Sequence, residues 1–448
     1  MNKFKRLQPI TLLFAGFLVL ILAGAFLLWM PFASKDGHFS NFVDALFVST
    51  SAACVTGLSP FNTFDHWNLF GQIVILVLIQ IGGLGFMTFI SVVLWIVNKD
   101  LGLYGKTVIM QSAGTFSFGS VKPLLRRILI GTFIFELIGA ILLSVFFFPE
   151  FGFKGIWYGT FTSISAFCNA GFDLFSGSFS SSLSAFRNNP GVLVTIGCLI
   201  LIGGSGFVVW SDLIDSKFRW GRLQMHTKIV LTSTLVLTIV PMFLFMLFDF
   251  TDFGRAGAYT TIDIGAKFLN SFFLAVTPRT AGFASVDYSL LSPASKTLTI
   301  LLMFIGGNSG STAGGLKVTT MVVIIFNLVA NARGKDEVAI FKQRINGSII
   351  RQSSALMLSY LAILFVAIMV ITSVDDIGTE AAIFECVSGL ATVGLSLGVT
   401  GTLSITSKIV LILLMYIGRL GAFGLFNLIM GKSSEHQLLH PEGRIMVG

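Results

Sequence analysis

Apolar positions along the chain fall into two kinds of run that alternate: long stretches, and half-length stretches that each end in a small-residue turn containing glycine. A helix needs about 20 mostly apolar residues to cross a bilayer core, so the long runs predict spans and the short ones predict helices that enter and turn back. The order span, half-stretch, turn, span occurs four times. Outer spans are expected at 9–32, 127–148, 226–248 and 352–374, and second spans at 70–97, 191–214, 297–331 and 407–430.

Each half-stretch stops at a related tetrapeptide: Val55-Thr56-Gly57-Leu58, Asn169-Ala170-Gly171-Phe172, Thr280-Ala281-Gly282-Phe283 and Thr392-Val393-Gly394-Leu395. The glycines lie 114, 111 and 112 residues apart. A second marker follows each turn, as Ile81-Gly82-Gly83, Ile202-Gly203-Gly204, Ile305-Gly306-Gly307 and Ile417-Gly418-Arg419. Two independent markers at one period define an internal repeat. The fold class that follows is an all-α polytopic membrane protein of four fused span, pore-loop, span units, with pseudo-fourfold symmetry around one pore. The units run 1–100, 101–215, 216–335 and 336–431, followed by a tail at 432–448.

Composition agrees with this pattern and narrows the alternatives. Of 448 residues 54% are hydrophobic and 11% charged, and the mean hydropathy is +0.88, which leaves no room for a large soluble domain. The first apolar run follows Lys3, Lys5 and Arg6 but is too long for a signal peptide and lacks a clear cleavage site. Cys54, Cys168, Cys198 and Cys386 show no CxxC spacing and predict free thiols rather than a metal site or a disulfide framework.

Net charge is +8, but the basic residues are dispersed over short loops, so topology explains them better than nucleic acid does. The N-terminus, the loops 98–127, 215–228 and 332–351 and the C-terminus together hold 19 Lys and Arg, against eight on the half-stretch side. Positive loops stay cytoplasmic, which places both termini inside and brings the four turns in from outside. The outer side collects Asp36, Asp44, Asp65, Asp173, Asp249, Asp252, Asp375 and Asp376, a mouth that attracts cations.

Irregular backbone survives at membrane depth only where it is buried in protein or lines a watery cavity. A dehydrated potassium ion needs a cage of oxygens, which rings of backbone carbonyls from four loops can supply. Glycine suits such turns because it takes positive φ at little cost and carries no Cβ. The expected ion-binding residues are therefore Val55, Thr56, Gly57, Asn169, Ala170, Gly171, Thr280, Ala281, Gly282, Thr392, Val393 and Gly394. The half-stretches before them would aim negative helix ends at the ion.

On Thr56-Gly57-Leu58, Asn169 to Phe172, Thr277-Pro278-Arg279-Thr280-Ala281-Gly282-Phe283, Thr392 to Leu395 and the segment from Ile305 to Lys317, the chain resembles the membrane subunit of the Ktr potassium uptake system, within the Trk/Ktr/HKT superfamily. The resemblance spans essentially the whole chain. It implies potassium uptake at the plasma membrane through a fourfold pseudosymmetric pore. It also implies a homodimer and a cytosolic ring of nucleotide-binding RCK regulatory subunits, with no cofactor on this chain. In plant relatives serine at the first turn glycine accompanies sodium permeation, so Gly57 favours potassium. Sodium coupling stays open.

The third unit departs from the others. Its second span is interrupted by Gly306, Gly307, Asn308, Ser309, Gly310, Ser311, Thr312, Ala313, Gly314 and Gly315, a composition no ordinary helix keeps. A loop at mid-membrane depth is expected, and the resemblance gives it and Arg419 the role of a gate. Lys317 does not complete a Walker phosphate loop, because Leu316 intervenes and no strand precedes. Arg419, a charge in an apolar span, needs an interior partner, expected to be the loop's carbonyls or Asn308. A plain structural contact between repeats is the alternative. Glu136, the acid at membrane depth in the second unit, is expected to bond a neighbouring helix rather than to relay protons or sodium. An alternating-access transporter would show two inverted repeats, and no paired carboxylates, HExxH or nucleophile elbow suggests an enzyme.

Overall fold

A computed structural model describes residues 9–85, 121–175, 182–251, 259, 263–335 and 337–421. The basic residues near the N-terminus, Asp252, the loop 98–120, the far ends of two second spans and the tail 432–448 lie outside the described residues. What is described is mostly helical, with one short hairpin pairing Ala339–Ile340 and Gln343–Arg344.

In the first unit the outer helix α1 is Pro9–Trp29, the half-helix α2 is Phe42–Cys54 and the second helix α3 is Leu69–Leu84. The second unit has α4 (Val121–Phe151), α5 (Lys154–Phe167), α6 (Pro190–Ser205) and a short α7 (Phe207–Asp215). The third has α8 (Met225–Asp249), α9 (Ile264–Val276), α10 (Pro293–Phe304) and α11 (Val318–Ala332). The fourth has α12 (Gly347–Val374), α13 (Thr379–Ala391) and α14 (Ile405–Leu420).

Side-chain caps start the second helices alike. Asn68, Asn189, Ser292 and Ser404 each accept a bond from a first-turn amide, satisfying donors that an apolar surrounding would otherwise strand. Within each unit the outer helix packs on its own half-helix: α1 on α2, α4 on α5, α8 on α9, α12 on α13. Between units the second helix packs on the next half-helix: α3 on α5, α6 on α9, α10 on α13, and α14 back on α2. The last unit thereby meets the first, and the four half-helices are held inside a closed circuit.

Leu125–Phe151, Met225–Asp249 and Gly347–Val374 are each long and apolar enough to cross a membrane alone, and α6 with α7 would make a fourth span if counted together. The expected second spans need correction. α6 and α7 are bent by 86° at Gly206, where the sequence predicts one continuous span. Equivalent glycines end α3 and α14: Gly85, Gly206 and Gly421 all adopt positive φ, 83°, 103° and 87°. The break expected only in the third unit therefore also occurs in the second, and the described helices of the first and fourth end at the equivalent glycines. Runs such as Ile81 to Gly85 and Ile202 to Gly206 are apolar enough to read as span, yet their glycines leave the helix easily.

Candidate functional site

The four turns sit where the half-helices end. Val55 and Thr392 close α2 and α13 in the left-handed conformation, and Asn169 and Thr280 take the same positive φ in the other two turns. Two residues on, Gly57, Gly171, Gly282 and Gly394 have φ of 95°, 71°, 76° and 94°. Bulky Val and Thr in the left-handed region are strained. Four such positions in register show that the surrounding packing fixes this backbone.

The amides of these turns fold back on their own helices. Thr56 N–H donates to Ser51 O at 2.7 Å, Ala170 N–H to Ser165 O at 2.7 Å, Ala281 N–H to Thr277 O at 3.0 Å and Val393 N–H to Ser388 O at 2.8 Å. Gly57 and Gly394 amides donate to the Ser51 and Ser388 hydroxyls, each at 3.0 Å. The donors are thus occupied behind the turn, and the carbonyls are released to the other side.

Those carbonyls meet the glycines of neighbouring units in one cyclic order. A Cβ on Gly57 would lie 2.5 Å from Ala170 O, on Gly171 2.7 Å from Ala281 O, on Gly282 2.4 Å from Val393 O, and on Gly394 2.2 Å from Thr56 O. No real Cβ tolerates such approaches. The twelve expected ion-binding residues are brought together in this ring, and all but the part-exposed Gly57 and Gly394 are buried.

Above the ring lies a polar cavity of about 420 Å³, whose lining includes Gly57, Gly171, Gly394, Asp173, Ser396 and Thr400. Burial pushes the Asp173 carboxyl up to about 6 against the bonds it accepts from the Phe175 amide and the Ser182 hydroxyl.

The marker glycines serve the same ring from the side. A Cβ on Gly82 would lie 2.1 Å from Ala53 O, on Gly203 1.9 Å from Phe167 O and on Gly418 1.9 Å from Leu390 O. Each of those carbonyls belongs to the residue two before a left-handed turn position, so the second helix presses directly against the end of a half-helix. In the third unit Gly306 faces Gly314 O and Leu316 O instead, because the chain there has left the helix.

The segment Gly306 to Gly315 is a loop on the helix-end side of the ring. It is tied to the second unit by Asn308 Nδ2 donating to Gly204 O at 2.9 Å and Thr312 Oγ1 to Phe167 O at 3.3 Å. Gly315 N–H donates to Gly418 O at 3.2 Å in the fourth unit, and a Cβ on Gly314 would lie 2.0 Å from Thr392 Oγ1. Gly310 O accepts from the Phe207 amide at the bend between α6 and α7. Gly307 lies against Ala313 and accepts from the Val318 amide, while the Ser309 and Ser311 hydroxyls bond Thr319 Oγ1 and Asn308 O.

Arg419 donates to the Thr312 carbonyl of this loop and to the Gly82 carbonyl, with Gly83 O 3.4 Å away. It clasps the loop, its own helix and the first unit together. The carbonyl alternative from the sequence is the one realised. Asn308 is engaged elsewhere, with Gly204 and, at 3.5 Å, Thr234 Oγ1.

Several polar groups at this site were not singled out for it by the sequence. Lys317, set aside with the phosphate-loop reading, donates from Nζ to Ala313 O at 2.7 Å and Gly314 O at 3.2 Å, pinning the loop from its C-terminal side. Arg279 is buried and donates to Thr234 Oγ1 at 3.1 Å. Ser51 and Ser388 each stand six residues before a turn glycine, and that shared spacing was the signal available for them. Glu136 behaves as expected, accepting from Gln80 Nε2 at 3.0 and 3.2 Å on the neighbouring α3. All four cysteines are free.

The pattern of the TrkH family, described as a cation transport protein, matches residues 8–432. The chain is 40% identical over 452 residues to the potassium/sodium uptake protein NtpJ of Enterococcus hirae, covering 99% of this chain and 98% of that protein. It is 36% identical over 447 residues to Ktr system potassium uptake protein B of Bacillus subtilis, covering 100% of this chain and 98% of the other. Among solved structures, the potassium transporter TrkH from Vibrio parahaemolyticus superposes with a TM-score of 0.74 at 18% identity, over 97% of this chain and 87% of that one, a likeness of fold.

Proposed function

The chain belongs to the TrkH family of cation transport proteins, and from that membership we propose that it takes up potassium across the cell membrane through a single pore, with the four glycine turns as its selectivity filter. The chain is a transporter and not an enzyme. The observation that carries the reading is the closed cycle in which each turn glycine faces the carbonyl of the next unit.

Amides turned backward and carbonyls turned toward the common axis give a cation oxygen ligands without side chains, which can stand in for its water. Half-helices ending at Cys54, Phe167, Val276 and Ala391 add the negative ends of their dipoles. The polar cavity with Asp173 is the outer entrance, where a cation sheds water in stages.

The loop from Gly306 to Gly315 serves as the gate, and Arg419 as the latch that holds it under the ring. Five glycines of low intrinsic order and several interchangeable hydrogen-bond partners give the loop alternative arrangements of similar energy, as a two-state element requires. The positive charge of Arg419 near the path raises the barrier to cations while the latch is closed.

The family resemblance supports a homodimer working with a cytosolic RCK ring that binds the nucleotide. Three relatives named as Ktr system proteins fit membership in such a system. The basic loops 215–228 and 332–351 are the expected docking side. The deciding experiment is uptake by a potassium-uptake-deficient bacterium, and flux into proteoliposomes, with potassium and sodium supplied separately and with and without the partner. Potassium-dependent growth is expected; growth supported by another cation alone would overturn the assignment.

A further inference from the structure

Glu385 lies in the middle of α13, fully buried, nine residues before the turn glycine Gly394. The corresponding positions in the other units are Val48, Thr162 and Phe273, so one quarter of the ring alone has a carboxylate behind it. No cation pairs with it among the described residues. The charged groups at the borders of the helices packed around it are otherwise engaged: Lys296 with Glu380, Lys408 with Asp44, and Asp375 with the Ser404 amide. Its partners are two hydroxyls. Ser396 Oγ donates to Glu385 Oε1, and Thr400 Oγ1 lies 3.1 Å from both carboxylate oxygens and 3.0 Å from Ser396 Oγ. Both Ser396 and Thr400 line the polar cavity above the ring.

We propose that Glu385 is a positioning residue for cation entry, holding the Ser396 and Thr400 hydroxyls with their protons turned inward so that oxygen lone pairs face the mouth. A carboxylate is acceptor only, whereas a hydroxyl has one proton and two lone pairs. Both hydroxyl protons are therefore drawn toward Glu385. Ser396 spends its two lone pairs on the Gly398 amide at 2.9 Å and the Thr400 hydroxyl at 3.0 Å; Thr400 keeps its own. The mouth then presents to an arriving cation the Thr400 oxygen, six residues past Gly394, held in place through Ser396. An amide in place of the acid would offer its own N–H to one hydroxyl and release that hydroxyl's proton toward the mouth, where it opposes a cation.

This inference rests on the reading of the ring as the conduction path. The experiment is potassium flux into proteoliposomes at varied external potassium for the full chain carrying Glu385→Gln, Glu385→Asp, Ser396→Ala or Thr400→Val, with thermal melting of each in detergent. Glu385→Gln is expected to raise the potassium concentration for half-maximal uptake about fivefold, the scale of one net hydrogen bond, more than it changes the maximal rate. Glu385→Asp restores part of that shift, and Ser396→Ala and Thr400→Val move it in the same direction. An unchanged half-saturation concentration with a normal melt, or a loss of maximal rate alone, overturns the proposal. Should Glu385→Gln fail to fold, the two hydroxyl variants decide by the same measurement. Gly57→Ser assayed alongside separates the two ideas: an altered ion preference there with no effect at Glu385 removes only this proposal, while no effect at either removes the ring reading as well.

Discussion

Lys408 Nζ lies 2.7 Å from Asp44 Oδ1, an ion pair between the start of the last second helix and the start of the first half-helix. The residues are 364 apart in sequence and mostly buried. Lys296 and Glu380 repeat the arrangement between the third and fourth units at 4.0 Å, and Gln72 accepts from Trp157 Nε1 at 2.9 Å between the first and second. Lys408→Met is expected to lower stability by about 2 kcal/mol, between the scale of exposed pairs and that of fully buried ones broken on one side. A double-mutant cycle with Asp44→Asn, followed by thermal melting in detergent, checks it; additive losses would mean that the two residues do not support each other.

Gly57→Ser should admit sodium more readily. Its Cβ would stand 2.5 Å from Ala170 O, and φ of 95° is costly for any residue with a side chain. The first and second units must separate to accept it, widening a ring sized by backbone alone. Paired potassium and sodium fluxes in proteoliposomes test this, and an unchanged ratio in a well-folded variant would count against the filter assignment.

On the proposed gating, Arg419→Ala should increase flux and loosen any dependence on a regulatory partner while leaving ion preference largely intact. The loop loses its tie at the Thr312 carbonyl to the first unit's Gly82. Uptake rate and selectivity measured together decide the matter. Lower flux with intact folding returns Arg419 to a purely structural contact between repeats.

Gly418→Ala should cost about 3 kcal/mol or prevent assembly, because its Cβ meets the Leu390 carbonyl at 1.9 Å and neither partner is a flexible side chain. Gly378→Ala, with nothing within 4 Å, is the matched control and should lie within about 0.5 kcal/mol of the parent. Melting temperatures of the two variants give the comparison directly; similar values would show that the helix contact has slack.

Much of this arrangement was legible in the sequence because the repeat writes the same instruction four times. The turn glycines and the marker recur in register, and one reading serves every unit. The loop at 306–315 was visible from its composition. The bend at Gly206 was not, since the run Ile202-Gly203-Gly204-Ser205-Gly206 satisfies a span and a bend equally until neighbouring helices choose. Arg419 announced that it needed a partner, but backbone carbonyls of the first unit carry no side-chain signature. Glu385 was hidden because its hydroxyl partners lie past the turn, and only the folded turn brings them back to α13.

The return of α14 to α2 also bears on how the protein is made. Contacts such as Asp44 with Lys408 and Gly82 with Arg419 cannot form until nearly the whole chain has emerged, so during synthesis the first three units wait with one flank open. That flank includes the Thr56 carbonyl that Gly394 later covers and the half-helix that α14 later shields. Polar backbone of this kind has no partner in lipid. A chain halted before its last quarter would consequently be an arc with two unsatisfied ends, a natural substrate for membrane quality control, and any escort at the translocation site would have to shelter the first unit until the fourth arrives.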